Sequence, residues 1–420
     1  MLRQFACAML LSSIAPVVQA GGFLVLDDLP GILDAGFGYG QGGDELVISG
    51  WATPPGDNMR PNAYRWTARN GIEYTGTLRD GSYSRGIAVS NDGSTVVGED
   101  CCGSEGFKWS QSSGITRFGG LGASGESVAY DVSANGSTIV GMSGKPPGGG
   151  GGYVAVRWTA DSGMVALGHL AGLEYTSAAQ GVSPDGSNVV GVSTPGPSGG
   201  RAFLWTELAG MTDLGDLPGG ISSSSAWAVS NNGVAVGKSY SAAGHEAFRW
   251  TSDGGMEGLG FLPGSTSSEA VAISADGSVI GGQSLYVANS AFLWTEAGGM
   301  QRLFDVLVGL GVSGLTGWNL YGIKAISPDG QWIVGIGGDP AGQERAFVAN
   351  ISPVPVPAAA WLFAGALGLL GAARRRASGG CDDETDRFRR DLRSAAPHFA
   401  RAEYRGRDAN RRRALAPAAW

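Results

Sequence analysis

One pattern, V-S-x-D-G-S-x-V-V-G, constrains this chain more than any other feature. It recurs as Val89 to Gly98, Val132 to Gly141 and Val182 to Gly191; shorter or drifted copies end at Gly237, Gly281 and Gly335, and Val47-Ile48-Ser49-Gly50 is a degenerate first copy. The terminal glycines stand 43 to 54 residues apart, a period that matches a unit of about four strands in a propeller blade. Beyond each glycine comes A-F-x-W-T or a variant: Ala63-Tyr64-Arg65-Trp66, Gly106-Phe107-Lys108-Trp109, Ala155-Val156-Arg157-Trp158, Ala202-Phe203-Leu204-Trp205, Ala247-Phe248-Arg249-Trp250 and Ala291-Phe292-Leu293-Trp294. The seventh copy, Ala346-Phe347-Val348-Ala349, lacks the Trp. A Leu-rich segment follows, clearest in Leu214-Gly215-Asp216-Leu217 and Leu259-Gly260-Phe261-Leu262.

Each unit reads as four short strands. V-S-x-D-G-S between Val-rich stretches predicts a hairpin, in which Gly supplies the positive φ of the turn and the Asp side chain braces it. In A-F-x-W-T the two rings are two residues apart and share one face of a strand, where they fill the gap between adjacent sheets. A single unit cannot bury both faces, so neighbours must stack. Leu26-Asp27-Asp28-Leu29-Pro30-Gly31 precedes the first unit as a copy of the Leu-rich segment that elsewhere ends one, and the seventh unit stops without its own. The N-terminal strand is therefore expected to complete the last blade. The fold expected over 21–350 is an all-β, seven-bladed β-propeller of four-stranded blades with short, protected edges. An open solenoid would leave the orphan strand without a partner.

Composition agrees. The 420 residues include 73 Gly, more than double the roughly 7% usual in proteins, and glycine at that density disfavours helix. With 43% hydrophobic residues and 12 Trp, the chain can fill a large core. Its formal charge of −8 conceals two unlike parts: 21–357 holds 15 basic and 30 acidic residues, whereas 13 Arg face 7 acidic residues from Arg374 onward. An acidic folded body is ill suited to nucleic acid, which is not an expected partner.

The two ends read as targeting segments. Residues 1–20, MLRQFACAMLLSSIAPVVQA, have an early Arg, a short apolar run and a small-residue site, the pattern of a signal peptide cleaved between Ala20 and Gly21. Near the other end, the apolar run 358–373 is followed at once by Arg374, Arg375 and Arg376. It is expected to be a transmembrane helix with the arginines held in the cytoplasm and the body exported. The Arg-rich tail, 377–420, lacks a repeated apolar pattern and is expected to be disordered and cytoplasmic.

Val354-Pro355-Val356-Pro357-Ala358, the Trp361-containing apolar segment and the Arg cluster together resemble the C-terminal sorting signals called PEP-CTERM, in particular the VPLPA variant. The resemblance covers Val354 to Arg376, within a sorting region of 351–376. It implies recognition by a membrane-embedded, exosortase-type protease and delivery to the cell surface of a Gram-negative bacterium that makes extracellular polysaccharide. Members usually stop soon after the basic cluster, whereas 44 residues follow here. The repeats themselves resemble the HAF repeats of bacterial extracellular proteins, over nearly all of 23–350.

Candidate chemistry is sparse. His169 and His245 lack metal-ligand spacing to another His or Cys, and His169 reads as a surface strand residue. The recurring Asp92, Asp185, Asp276 and Asp329 precede Gly in each hairpin, and Asn135 and Asn232 take the same place; turn chemistry accounts for both residue types, whereas acid catalysis does not. Cys101 and Cys102 are adjacent, compatible with a vicinal disulfide or with free thiols. The run from Lys145 through Gly152 lacks phosphate-loop spacing. The insertion Val308 to Gly322, with Trp318 and Tyr321, is the candidate ligand-facing loop, with ordinary packing as the alternative. No cofactor or metal is expected. The expected role is non-enzymatic: binding or structural work at the cell surface or in the matrix, with extracellular polysaccharide or a surface protein as partner. The alternative is a secreted propeller hydrolase or lyase acting on extracellular polysaccharide, marked by convergent carboxylates in the channel.

Overall fold

The computed structural model describes residues 22–352, apart from 27–38, 43–44, 55, 57–59, 68, 101–104, 123–124, 146–151, 197–198 and 286–289. The expected signal peptide, sorting region, transmembrane segment and tail lie outside these residues, as do Cys101 and Cys102. Among the described residues no helix is long and apolar enough to cross a membrane.

The repeat builds seven four-stranded antiparallel sheets. In the second blade the strands are Ser84–Val89, Thr95–Asp100, Glu105–Ser110 and Gly114–Arg117, in that spatial order. The first strand of each blade lies toward the ring axis. Seven apolar clusters occupy the seven gaps between successive blades, the last formed by Leu26, Ile48, Ala52, Tyr64, Val334, Ala346 and Val348 of blades seven and one. The ring is thus closed by packing as well as by pairing.

The closing strand sits where the repeat places it. Phe23–Val25 pairs antiparallel with Glu344–Asn350 as the fourth strand of blade seven. Leu26 then donates its N–H to the Ala346 carbonyl at 3.1 Å, as Leu214 does to Ala202 and Leu259 to Ala247. Phe23 stacks on Phe347 at 5.3 Å between centroids and meets Trp318 edge-on at 5.2 Å.

Three details differ from the sequence expectations. The Leu-rich segment is only partly strand: in blade four pairing ends at Asp213, Gly215 takes φ of 80°, and Leu217 plugs the gap to the next blade. In blade six this segment is instead the helix Leu303–Gly309, because Leu303 and Leu307 fall four apart and are both fully buried. The glycine equivalent to Gly98 and Gly141 in the sixth copy is Gly282, not Gly281, since Gly282 lies opposite Phe292 as Gly98 lies opposite Phe107.

Serine recurs for two structural reasons. At the start of five first strands, Ser84, Ser127, Ser177, Ser224 and Ser268 accept the N–H of residue 63, 106, 155, 202 or 247 in the preceding blade. Four of them also donate to a glycine carbonyl there, Ser177 to Gly168 at 2.6 Å among them. On the second strand, Ser143, Ser193 and Ser239 accept the N–H of Leu121, Leu170 and Leu217. These clasps satisfy buried backbone groups where pairing stops. Cations of A-F-x-W-T add a third link: Lys108 stands 3.6 Å from the ring centroid of Trp158, and Arg157 and Arg249 reach over Trp205 and Trp294 at 5.8 Å.

A candidate ligand site in the central channel

The first strands of blades two to seven share a register shift at one place, and those of blades five and seven carry a second shift nearer their start. The residue left over at the shared shift is Ile87, Tyr130, Gln180, Trp227, Val271 and Lys324 in turn. A β-bulge re-aims the side chain it carries, and all six residues line one cavity of about 240 Å³ in the channel. The glycine of V-V-G is what permits the bulge. A Cβ at Gly98, Gly141, Gly191, Gly237 or Gly282 would overlap the carbonyl oxygen that the bulge pushes across from the first strand. Glycine inside a strand signals such a close approach.

The six bulge residues are all different, as are the residues two places before them, Arg85, Val128, Ala178, Ser225, Glu269 and Gly322. One mouth of the channel is narrowed by the D-G turns, which bond to one another: Asp92 N–H to Ala134 O, Ala134 N–H to Pro184 O, Asn231 N–H to Ala275 O and Ala275 N–H to Pro328 O, at 2.9 to 3.1 Å. The turns behave as the sequence implies. The Asp92 carboxylate accepts the Ser90 hydroxyl and the Ser94 N–H and hydroxyl; burial opposes its charge, but these bonds outweigh that and hold its pKa low. Asn135 makes the same contacts with Ser133 and Ser137.

The residue after each bulge is Ala or Gly in five blades and Asp131 in the third. Its carboxyl accepts the N–H of Val132 and, across the blade gap, that of Val182, both at 2.8 Å. Burial pushes its pKa up to about 7 against the lowering effect of those two bonds. Beside it, burial raises the Tyr130 hydroxyl to about 12, with Glu99 and Tyr153 adding to the shift, and that hydroxyl points to Met142 Sδ at 3.6 Å. Gln180 Oε1 is buried without a hydrogen-bond partner in the protein. Asp131 is the one carboxylate lining the cavity among the described residues, and Lys324 is the one cation. At the other end of the bulge layer, Lys238 lies 4.9 Å from the Trp227 ring centroid and pairs with Glu269 at 2.7 Å.

The residues singled out in the sequence lie elsewhere. Trp318 is half-buried against Phe23, and the Tyr321 hydroxyl lies over Gly338; neither lines the channel cavity. His169 sits in a connection after the strand Gly163–Gly168, with its ring 3.3 Å from the Tyr153 carbonyl oxygen. His245 packs on Tyr240 at 3.9 Å between centroids. Among the described residues, no group of three His, Cys, Asp or Glu side chains is arranged to hold a metal ion. Ala20, Gly21 and the sorting residues Val354 to Ala358 and Arg374 to Arg376 fall outside the description. The mark of the bulge position in the sequence is the V-V-G glycine that faces it across the strand pair.

No family model matches the chain, and no curated protein does. Among solved structures, puromycin hydrolase superposes with a TM-score of 0.50 at 13% identity, over 81% of this chain and 57% of that one. A prolyl endopeptidase gives 0.48 at 12% identity, over 76% and 50% respectively. The β-propeller domain of the Trilobed protease from Pyrococcus furiosus gives 0.47 at 9%, over 77% and 99%. The chain spans little more than half the length of puromycin hydrolase. At 13% identity the likeness to puromycin hydrolase bears on the fold alone.

Proposed function

We propose that this chain is an exported, non-enzymatic β-propeller of the cell surface or extracellular matrix, which binds a ligand through its central channel. The observation that carries this reading is the cavity of about 240 Å³ in the channel, walled by the bulge residues Ile87, Tyr130, Gln180, Trp227, Val271 and Lys324. Extracellular polysaccharide or a surface protein is the proposed partner. The resemblance of Val354 to Arg376 to PEP-CTERM signals supports delivery by an exosortase-type protease, after passage as a single-pass membrane protein. An epitope inserted after Gly21, followed through cell fractions, tests the delivery: a shortened species outside the cell supports it, and full-length protein confined to the inner membrane refutes it.

A second reading, a hydrolase or lyase acting on extracellular polysaccharide, draws on Asp131, whose buried carboxyl titrates near neutrality in the channel wall. It lacks a second carboxylate among the described lining residues, which glycoside hydrolysis by the usual pair requires. Depolymerisation of polysaccharide by the wild type and not by Asp131→Asn would establish it over the binding reading.

A further inference from the structure

The ring presents seven outer strands, and the one in blade three is unlike the others. In blades two, four, five and six the outer strand is four residues long and carries Arg117, Asp213, Glu257 or Arg302. Blade one has six residues with Glu73 among them, and blade seven has only Phe23–Val25, followed in sequence by Asp27 and Asp28. Shortness and charge are what keep sheet edges from pairing with one another. Blade three has neither protection. Its outer strand, Gly163–Gly168, is six residues long, reads GMVALG and leaves Val165 45% exposed. The direction of its backbone groups follows from the serine clasp. Ala155 donates its N–H to Ser177 and not to the second strand, so Ala155 faces the outer side of its own strand. Alternation then turns Arg157 and Thr159 the same way, where they exchange bonds with Val165 and Gly163. Met164 and Ala166, which alternate with those two, direct their N–H and C=O groups away from the blade.

We infer that two copies of the chain join edge to edge through the outer strands of blade three, antiparallel and about a twofold axis at Val165. In that register Met164 of each copy exchanges both bonds with Ala166 of the other, and Val165 stands opposite Val165. Uncharged side chains thus meet along the whole contact. Asp161 falls opposite His169, on which Lys145 and Glu174 act with opposite signs, so no net like charge opposes the pairing. The other outer strands bring a charge to the same place or offer fewer bonds, which makes this strand its own best partner. A symmetric pair needs such a self-complementary patch. The contact is small beside the roughly 1,200–2,000 Å² of stable interfaces; the pair is therefore a weak, exchanging one. It is independent of the channel and of any ligand there.

The test is oxidative disulfide cross-linking of the full chain in detergent micelles, with its four cysteines changed to serine and one cysteine introduced. Opposed residues of a non-bonded antiparallel pair stand about 4.5 Å apart at Cα, inside the ~4.4–6.8 Å that a disulfide accepts. Val165→Cys should therefore form a covalent dimer about tenfold faster or more than two controls. One is Thr212→Cys, its equivalent in blade four; the other is Ala166→Cys, whose two copies lie diagonally across the pair. Ala166→Pro removes an N–H that the blade does not use. Added to Val165→Cys, it should slow the dimer to the rate of Thr212→Cys and leave the melting temperature in place. Equal rates for the three single-cysteine chains mean random collision and overturn the inference, as does a dimer that Ala166→Pro leaves unslowed in a folded chain. A Val165→Cys thiol shielded from alkylation without forming the dimer places another occupant on the edge and overturns it too.

Discussion

Ser177→Ala tests how the blades are held together. The Ser177 hydroxyl accepts the buried Ala155 N–H at 2.9 Å and donates to the Gly168 carbonyl at 2.6 Å, linking blade four to blade three. Ser177 is fully buried, so water cannot substitute freely for the lost oxygen. Each stranded buried polar group costs about 1–3 kcal/mol, and the missing oxygen removes little apolar area, so the expected loss is about 2–4 kcal/mol. Ser187→Ala is the matched control: its hydroxyl bonds the Asp185 carboxylate on the exposed surface of a turn, where removal should cost less than about 0.5 kcal/mol. Urea unfolding of both variants and the wild type, followed by tryptophan fluorescence, measures the difference. If Ser177→Ala falls within 0.5 kcal/mol of Ser187→Ala, using the same order-of-magnitude scale, the clasp does not stabilise the ring and the reason given for the recurring serine is wrong.

Other predictions follow from the same geometry. Gly141→Ala drives a Cβ into the Val128 carbonyl and should lower stability by about 1–3 kcal/mol, whereas Gly196→Ala meets nothing within 4 Å and should be neutral in the same unfolding assay. Leu26→Ala removes a side chain 3% exposed from the closing gap and should cost about 2–4 kcal/mol; a thermal midpoint equal to wild type would refute closure by this segment. The folded-state pKa of Asp131 is raised, so the fold holds a proton that the unfolded chain releases. Its contribution to stability is fully present below about pH 4 and is lost as pH rises through about 7. Asp131→Asn should therefore show a flatter decline in melting temperature between pH 4 and 7 than the wild type, and parallel profiles would contradict the assigned burial.

The blades were legible because turn and strand chemistry repeat. Asp92 and its equivalents announce hairpins whichever of Asp or Asn stands there, and Leu26 announces ring closure by matching Leu214 and Leu259. The helix Leu303–Gly309 was concealed by its context, since the i, i+4 pair Leu303 and Leu307 stands where other units carry an extended Leu-rich segment. The serine clasps and the cation on each neighbouring Trp join residues about 20 to 50 positions apart, which depends on how blades are juxtaposed rather than on any local period. The channel was hidden for a different reason. Its wall is built from the bulge residues, and their trace in the repeat is the glycine across the strand, required by a bulge that no propensity reveals.

A crystal structure of the protein grown with fragments of extracellular polysaccharide would test the central claim most directly. The account predicts bound sugar in the channel, among the bulge residues that wall its cavity, with the scaffold positions unmoved. Sugar bound solely at the outer edges of the blades, with the channel free of it, would contradict the account.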